Sequence, residues 1–440
     1  MYSNKYIWKV AFPIFLSLFA QNIINVTNTA FLGRVGEVEL GASAIGGIFY
    51  LAIFMLGFGF SIGSQILIAR RNGEKKYDEI GQIMLQGIIF LMISAILLFA
   101  FTRVFSGSLL RLMVNSDAVY YASIDYLHYR TFGFFFSFIN VMFRSFYVGI
   151  TQTKVLTINA FLMMFVNVLL DYLLIFGKFG FPELGIAGAA VASIVAEFTS
   201  VVFFVIYTIK YIDIRQYGFL QKFKLKFTMV KRILNVSIYT MVQSFISIAT
   251  WFLFFIAVEH LGERALAVSN IIRSFYMFLF MPASALAITA NTLVSNAIGE
   301  GKTNQVLIII KQIVKLSFYV ILPFVLLIFL APRMMISIYT NDAVLIDASV
   351  LPLYVIAGCF LICTAGNILF NAVSGTGNTR ASLIIEIVSL SFYTLFIYWV
   401  VYYLQLPLYI CWTIELVYWG IILITCYFYL KKGTWEKKVI

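Results

Sequence analysis

Charged side chains are scarce in this chain. They make up 11% of its 440 residues, where a soluble domain carries about a quarter. With 62% hydrophobic residues, that shortage excludes an ordinary water-facing surface and makes lipid the solvent on most sides. Histidine is rarer still: His128 and His260 are too few for a histidine-bound metal or haem. The four cysteines (Cys359, Cys363, Cys411, Cys426) fall in apolar stretches, and only the first two stand at i, i+4. They read as small buried hydrophobes rather than ligands. No Walker loop occurs, so ATP does not drive the protein directly, and neither G-x-S-x-G nor H-E-x-x-H is present. The chain does not read as an enzyme, and no cofactor or metal is expected. A glycine-rich filter segment is also missing, which argues against a passive channel. Lys5 and Lys9 precede a span too long for a signal-peptide core, so a retained first helix is expected.

What the chain has is apolar length. About twelve segments are long enough to cross a hydrocarbon core as helices: 7–32, 44–69, 83–102, 126–149, 155–177, 185–209, 233–258, 265–297, 308–331, 346–373, 381–403 and 407–430. Phe (45) and Tyr (26) are plentiful, and Tyr often clusters near span ends, as interfacial belts do. The net charge of +12 invites a nucleic-acid reading, but the basic residues sit in alternating loops. One side holds Lys5, Lys9, Arg70, Arg71, Lys75, Lys76 and Lys154, the run from Lys210 to Arg232, Lys302 with Lys311, Arg380, and Lys431, Lys432, Lys437 and Lys438. The other holds Arg34, Arg103, Arg111, Lys178, Arg264 and Arg333. That positive-inside bias puts both termini in the cytoplasm and leaves anionic lipid headgroups, not nucleic acid, as the partner of the basic loops.

The chain also repeats itself at one offset. Gly36 and Glu37 recur as Gly262 and Glu263; Phe49, Tyr50 and Phe54 recur as Phe275, Tyr276 and Phe280; Gly73, Glu74 and Lys76 recur as Gly299, Glu300 and Lys302; Gly149 and Thr153 recur as Gly375 and Thr379. Every pair is 226 residues apart with no gap. The reading is an all-α membrane protein of two parallel six-helix repeats: an N-terminal lobe (1–215), a basic cytoplasmic linker (216–232) and a C-terminal lobe (233–440). That architecture is typical of secondary transporters, with a substrate path between the halves. The second span is punctuated by Gly57 to Gly63 in one half and carries Pro282 in the other, residues that mark bends or close approach.

Ionisable groups inside a bilayer are costly and are functional candidates by default. Here they are Asp171, Glu197, Glu386 and Glu415, with Arg130, Arg144 and Arg273. Asn167 lies four residues before Asp171, hence on the same helical face. A carboxylate with an amide one turn away can carry a proton or help hold Na⁺; the alternative is a structural partner for an Arg such as Arg130. Glu197, close to Ser193 and Thr199, lines the same first-half cavity in this reading. Glu386 and Glu415 offer a second-lobe polar site or a pair of structural contacts. Arg144 reads as a snorkelling interfacial residue.

At these residues the chain resembles the multidrug and toxic compound extrusion (MATE) transporters of the MOP superfamily. The similar stretches are FPIFLSLFAQNIINVTNTAFLGRVG from Phe12, SQILIARRNGEKK from Ser64, SNAIGEGK from Ser295, NVLLDYLLIFGKFGFPELGIAGAAVAS from Asn167 and SGTGNTR from Ser374. The resemblance covers nearly the whole chain. It implies efflux of amphipathic, often cationic, drug-like compounds, driven by entry of H⁺ or Na⁺ as two six-helix lobes alternate. Members with a first-lobe cation site join an acid in span 1 to an Asn and an Asp in span 5 and a Thr in span 6. The matching positions are Asn28, Asn167, Asp171 and Ser193, with Asn28 where the acid is expected. Another branch places an acid in span 7, where this chain offers only Gln243. The resemblance is therefore to the first-lobe-site, DNA-damage-inducible-like type more than to the span-7-acid type.

The resulting expectation is a monomeric, cation-coupled antiporter in a plasma membrane, a bacterial inner membrane by its compact loops. Asp171 is the main coupling carboxylate; Asn28, Asn167, Ser193 and Glu197 shape its site. Glu386, Glu415 and Gln243 form a second polar site, Pro13 lets span 1 bend, and aromatic and Met side chains hold flat substrates. The alternative is a lipid-linked oligosaccharide flippase of the same superfamily, for which Arg130, Arg144 and Arg273 would supply a cationic cavity.

Overall fold

The computed structural model describes residues 2–114, 116–221 and 226–436. Lys222, Lys224, Lys437 and Lys438 of the basic loops lie outside the described residues. Among the described residues there is no strand. The elements in chain order are α1 (Asn4–Val35), α2 (Glu37–Gly73), α3 (Tyr77–Met113), α4 (Asp117–Arg130), α5 (Gly133–Gly149), α6 (Lys154–Ile175), α7 (Gly185–Tyr211), α8 (Phe227–Glu259), α9 (Glu263–Gly299), α10 (Val306–Leu330), α11 (Pro332–Ile336), α12 (Ala343–Gly375), α13 (Thr379–Phe396), α14 (Leu408–Cys411) and α15 (Ile414–Lys432).

Among the described residues eleven spans are apolar and long enough to cross a membrane, and a twelfth is assembled from α4 and α5, which bend by 54° at their junction. The sequence placed that fourth span at 126–149. The structure starts it at Asp117, where Ser116 caps the helix by accepting from the Val119 amide. It then breaks the span at Thr131 and Phe132, just after Arg130. The eleventh span loosens from α13 into a π-helical turn over Ile397–Tyr403. Asp342 and Asn378 cap α12 and α13 by accepting from backbone amides one turn on. Outward faces are apolar: Leu97, Phe165, Ile206, Leu395 and Phe428 are each more than half exposed, as lipid contact requires.

The chain forms two compact units. The first lobe is Leu16–Met241; the second is Met1–Phe15 with Val242–Ile440. The divisions fall inside α1, two residues beyond Pro13, and inside α8, rather than in the loop 216–232. The opening residues join the second lobe for a packing reason. Ile7 and Ala11 are buried in one cluster with Phe254, Ile272, Val294, Ile309 and Phe360, and the Tyr2 hydroxyl donates to Glu300 (2.8 Å). Lipid is as apolar as these side chains, so the gain is close van der Waals fit rather than release from water.

The repeat survives folding. Tyr50 and Phe54 stack at 6.4 Å in the first lobe, and Tyr276 and Phe280 at 5.6 Å in the second. A β-carbon on Gly149 would meet Ile68 Cγ2 at 2.6 Å, and one on its counterpart Gly375 would meet the Asn291 carbonyl oxygen at 2.4 Å. Both positions require the absence of a side chain so that adjacent helices can touch.

Candidate functional site

Asp171 and Asn167 project from one face of α6, as their spacing dictates, and both are buried. α1 brings Asn28 to them. With its amide nitrogen turned toward the carboxylate, Asn28 donates to Asp171 Oδ2, to Asn167 Oδ1 (3.0 Å) and to the Ile24 carbonyl (3.1 Å). α7 closes the group: Asn167 Nδ2 donates to Ser193 Oγ at 3.4 Å. The four residues matched through the family resemblance thus meet in one polar cluster inside the first lobe. Asp171 Oδ1 is buried with no hydrogen-bond partner, and no Lys or Arg nitrogen is recorded within 4 Å of this carboxylate among the described residues.

Glu197 does not join that cluster. It pairs with Arg130, Nη2 to Oε1 at 2.6 Å and Nη1 to Oε2 at 3.0 Å, a bidentate geometry in which each side chain is about a tenth exposed. The guanidinium lies 3.8 Å above the Tyr50 ring. Gly133 makes room for the pair, since a β-carbon there would fall 2.1 Å from Arg130 Nη1. Arg130, considered from sequence as a partner for Asp171, is therefore spent on Glu197. The break after α4 leaves Arg130 at a helix end, free to turn inward.

The second lobe holds two more carboxylates. Glu386 on α13 is 1% exposed; its Oε1 accepts from the Tyr418 hydroxyl (2.9 Å) and, more closely, from Ser247 of α8. Its Oε2 is buried without a partner. Glu415 on α15 is 2% exposed, and its Oε2 accepts from the Tyr276 hydroxyl (3.0 Å) and the Trp419 indole N–H (3.1 Å). Gln243, one turn before Ser247, contributes its backbone carbonyl to Ser247, while its side-chain oxygen is buried without a partner. Neither glutamate has an ion-pair partner among the described residues.

Arg144 lies over the Phe58 ring (5.4 Å) and Arg273 over Phe255 (5.3 Å). Among the described residues no cluster of three His, Cys, Asp or Glu side chains could hold a metal ion. A cavity of about 380 Å³ lined by Arg103, His128, Ser106 and Tyr120 touches none of the carboxylates above. Sequence reasoning missed Ser247, Tyr418, Trp419 and the pairing role of Tyr276. Only Tyr276 carried a signal, its repeat relation to Tyr50.

The MatE family profile matches residues 13–173 and 227–399. A relative from Thermotoga maritima, named a probable multidrug resistance protein NorM, is 28% identical over 392 residues, 88% of this chain and 83% of its own. Bacillus subtilis YoeA, named a probable multidrug resistance protein, is 24% identical over 336 residues, 75% of this chain and 72% of its own. A MOP superfamily transporter from Pyrococcus furiosus superposes with a TM-score of 0.89 at 19% identity, over 99% of this chain and 97% of its own, a likeness of fold. The eukaryotic MATE transporter AtDTX14 does so at 0.84 and 17%, over 98% and 96%. The all-α fold expected from sequence is thereby the fold of MATE and MOP transporters. With the family profile covering most of its length, the chain belongs to the MatE family, whose members are membrane transporters and not enzymes.

Proposed function

We propose that this protein is a secondary active multidrug efflux antiporter. It exports amphipathic, often cationic organic compounds in exchange for H⁺ by alternating access. The observation that carries the reading is the state of Asp171: a buried carboxylate inside a polar cage, with one oxygen unpartnered and no cation beside it. A group so placed binds and releases a positive charge as its access to each side changes. The cage favours a proton over Na⁺. Asn28 turns N–H groups toward the carboxylate, so few oxygen lone pairs are left to replace a metal ion's hydration shell. The multidrug names of the relatives support the substrate class. The basic loops support a plasma membrane, the inner one in a bacterium, with both termini in the cytoplasm. Pro13, two residues before the division in α1, serves as the hinge, and the protein acts as a monomer surrounded by lipid.

The test is dye efflux from proteoliposomes under separately imposed pH and Na⁺ gradients, wild type beside Asp171→Asn. Efflux that follows the pH gradient in wild type and is lost in the variant is the expected result. Efflux following Na⁺ at clamped pH overturns the choice of ion, and efflux surviving in the variant removes Asp171 from coupling.

A flippase for lipid-linked saccharides is the second reading, favoured by Arg144 and Arg273, which have no recorded acidic partner among the described residues. The neutralisation of Arg130 by Glu197 takes away the third cation such a pyrophosphate site would use.

A further inference from the structure

The two halves differ sharply where α3 meets α4, at the cavity of about 380 Å³ that lies apart from the buried acids. Its wall carries Arg103, Ser106 and Ser108 from α3, and Tyr120 and His128 from α4. The repeat register holds here: α4 begins at Asp117 and α12 at Ala343, again 226 residues apart. At that offset Phe329 stands for Arg103, Pro332 for Ser106, Met334 for Ser108, Ile346 for Tyr120 and Tyr354 for His128. Phe329 and Tyr354 stack at 5.1 Å, so the second lobe closes this junction with an aromatic pair. Just beyond it, Ile356 stands for Arg130. The shared fold does not require a polar junction, and the polarity belongs to the first lobe alone.

Arg103 holds a charge with no acid beside it. No Asp or Glu oxygen is recorded within 4 Å of it among the described residues, whereas Arg111, about two turns on, pairs with Asp117 at 2.6 Å. The guanidinium lies over the Phe99 and Phe132 rings, at 4.8 and 5.1 Å. Its Nη2 donates to the His128 carbonyl at 2.6 Å, and its Nη1 meets His128 Nδ1. A guanidinium offers only donors, so Nδ1 accepts and the imidazole proton sits on Nε2, as one more donor. Two of the N–H groups of Arg103 are spent on His128, and the others remain for a ligand. Gly107 lets Tyr120 approach α3, since a β-carbon there would stand 3.3 Å from the Tyr120 hydroxyl.

The level of the cavity points to the ligand. α3 has 37 residues, and about 20 cross a hydrocarbon core. Its apolar segment ends at 102, and the cavity opens from there, where headgroups lie. Phe101, Val104, Phe105 and Phe132 beside it are all exposed, as surfaces for acyl chains.

We propose that this cavity binds the phosphate of an anionic phospholipid. Arg103 and His128 hold the headgroup, and the acyl chains lie along the exposed phenylalanines. The planar donor fork of an arginine matches phosphate oxygens. The occupant ties α3 to the arm of α4 that ends at Arg130, and so braces the broken span ahead of its bend. The site goes beyond the efflux reading and needs no ion gradient.

The test uses the full chain in neutral detergent, titrated with phosphatidylglycerol, phosphatidylcholine or inorganic phosphate. Native mass spectrometry follows the bound lipid, and thermal unfolding follows stability. Phosphatidylglycerol is expected to stay bound and raise the unfolding temperature, with the other two much weaker. Arg103→Gln should weaken its binding about tenfold, the scale of one hydrogen bond to a charged group. Arg103→Lys, which keeps the charge and loses the fork, should weaken it less. Gly107→Leu should also weaken it, by filling space without changing charge. Arg333→Gln removes the same charge from an exposed position in the second lobe and should leave binding unchanged. Unfolding temperatures without lipid separate a lost site from a lost fold. Binding unchanged in Arg103→Gln, or weakened equally by Arg333→Gln, overturns the proposal. Inorganic phosphate protecting as well as the lipid overturns the lipid as the source of the phosphate.

Discussion

In the first lobe Tyr50 faces Arg130 and Glu197; in the second, Tyr276 at the equivalent position faces Glu415, which has no ion-pair partner among the described residues. The backbone and the aromatic wall are shared, and the charge is not. An acid neutralised by a bidentate guanidinium is held in one state and serves as structure. An acid held only by neutral donors keeps the freedom to gain and lose a proton. The first lobe contains both kinds, Glu197 of the first and Asp171 of the second. The position of an arginine thus sorts the intramembrane acids: Glu197 is paired with Arg130, while Asp171, Glu386 and Glu415 have no ion-pair partner among the described residues.

The largest expected effect comes from breaking the fixed pair. Arg130→Leu copies the aliphatic character of Ile356 and leaves Glu197 buried alone, which costs about 3–5 kcal/mol. Thermal unfolding in detergent should show a clear loss of stability, restored in large part by adding Glu197→Gln. Glu415→Gln, which strands no opposite charge, should cost less than about 1.5 kcal/mol by the same assay. Equal losses for Arg130→Leu and Glu415→Gln would abolish the distinction between the lobes. Next in size, Asp171→Asn should lower pH-driven efflux by roughly a hundredfold, the scale of losing a positioned proton-transfer group, with little change in unfolding temperature. A stability loss matching the activity loss would turn Asp171 into a second structural acid.

The glycine pair sharpens the comparison where the lobes agree. Gly149→Ala and Gly375→Ala should each destabilise by about 1–3 kcal/mol. The second should cost more, because it meets the Asn291 backbone where the first meets chiefly the Ile68 side chain. Neutral alanine variants at both sites would deny that these helices touch so closely.

The smallest effect is at the helix ends. Burial pushes the Glu300 carboxyl up, but hydrogen bonds from Lys302 and Tyr2 and the Lys302 charge outweigh it and hold the group below its ordinary 4.5. A lowered folded value means the contribution is complete above that ordinary value and fades as pH falls through the lowered one. It is worth less than about 1 kcal/mol at this solvent-screened end. Glu300→Gln should flatten the acid limb of the stability curve, and an unchanged limb would remove the contribution.

The sequence showed the spans because apolar length and alternating basic loops are local properties. It joined Asn167 to Asp171 because four residues make one helical turn. Asn28 and Ser193 became visible only through the family's pattern, since nothing local links α1, α6 and α7. Glu197 was grouped with Asp171 because it lies close to Ser193 and Thr199, whereas its partner lies 67 residues earlier on another helix. Separations of 139 and 32 residues likewise hid Ser247 and Tyr418 from Glu386.

The sequence by itself determined that the chain crosses a membrane about twelve times, that its halves repeat at a fixed offset, and which few ionisable residues are placed in lipid. These follow from composition and periodicity, which need no partner. Only the tertiary structure decided which acid is neutralised by an arginine and which is held by neutral donors alone. That depends on where a guanidinium or hydroxyl arrives from another helix, and the direction is set by the bend between α4 and α5 and by the packing of α13 on α15.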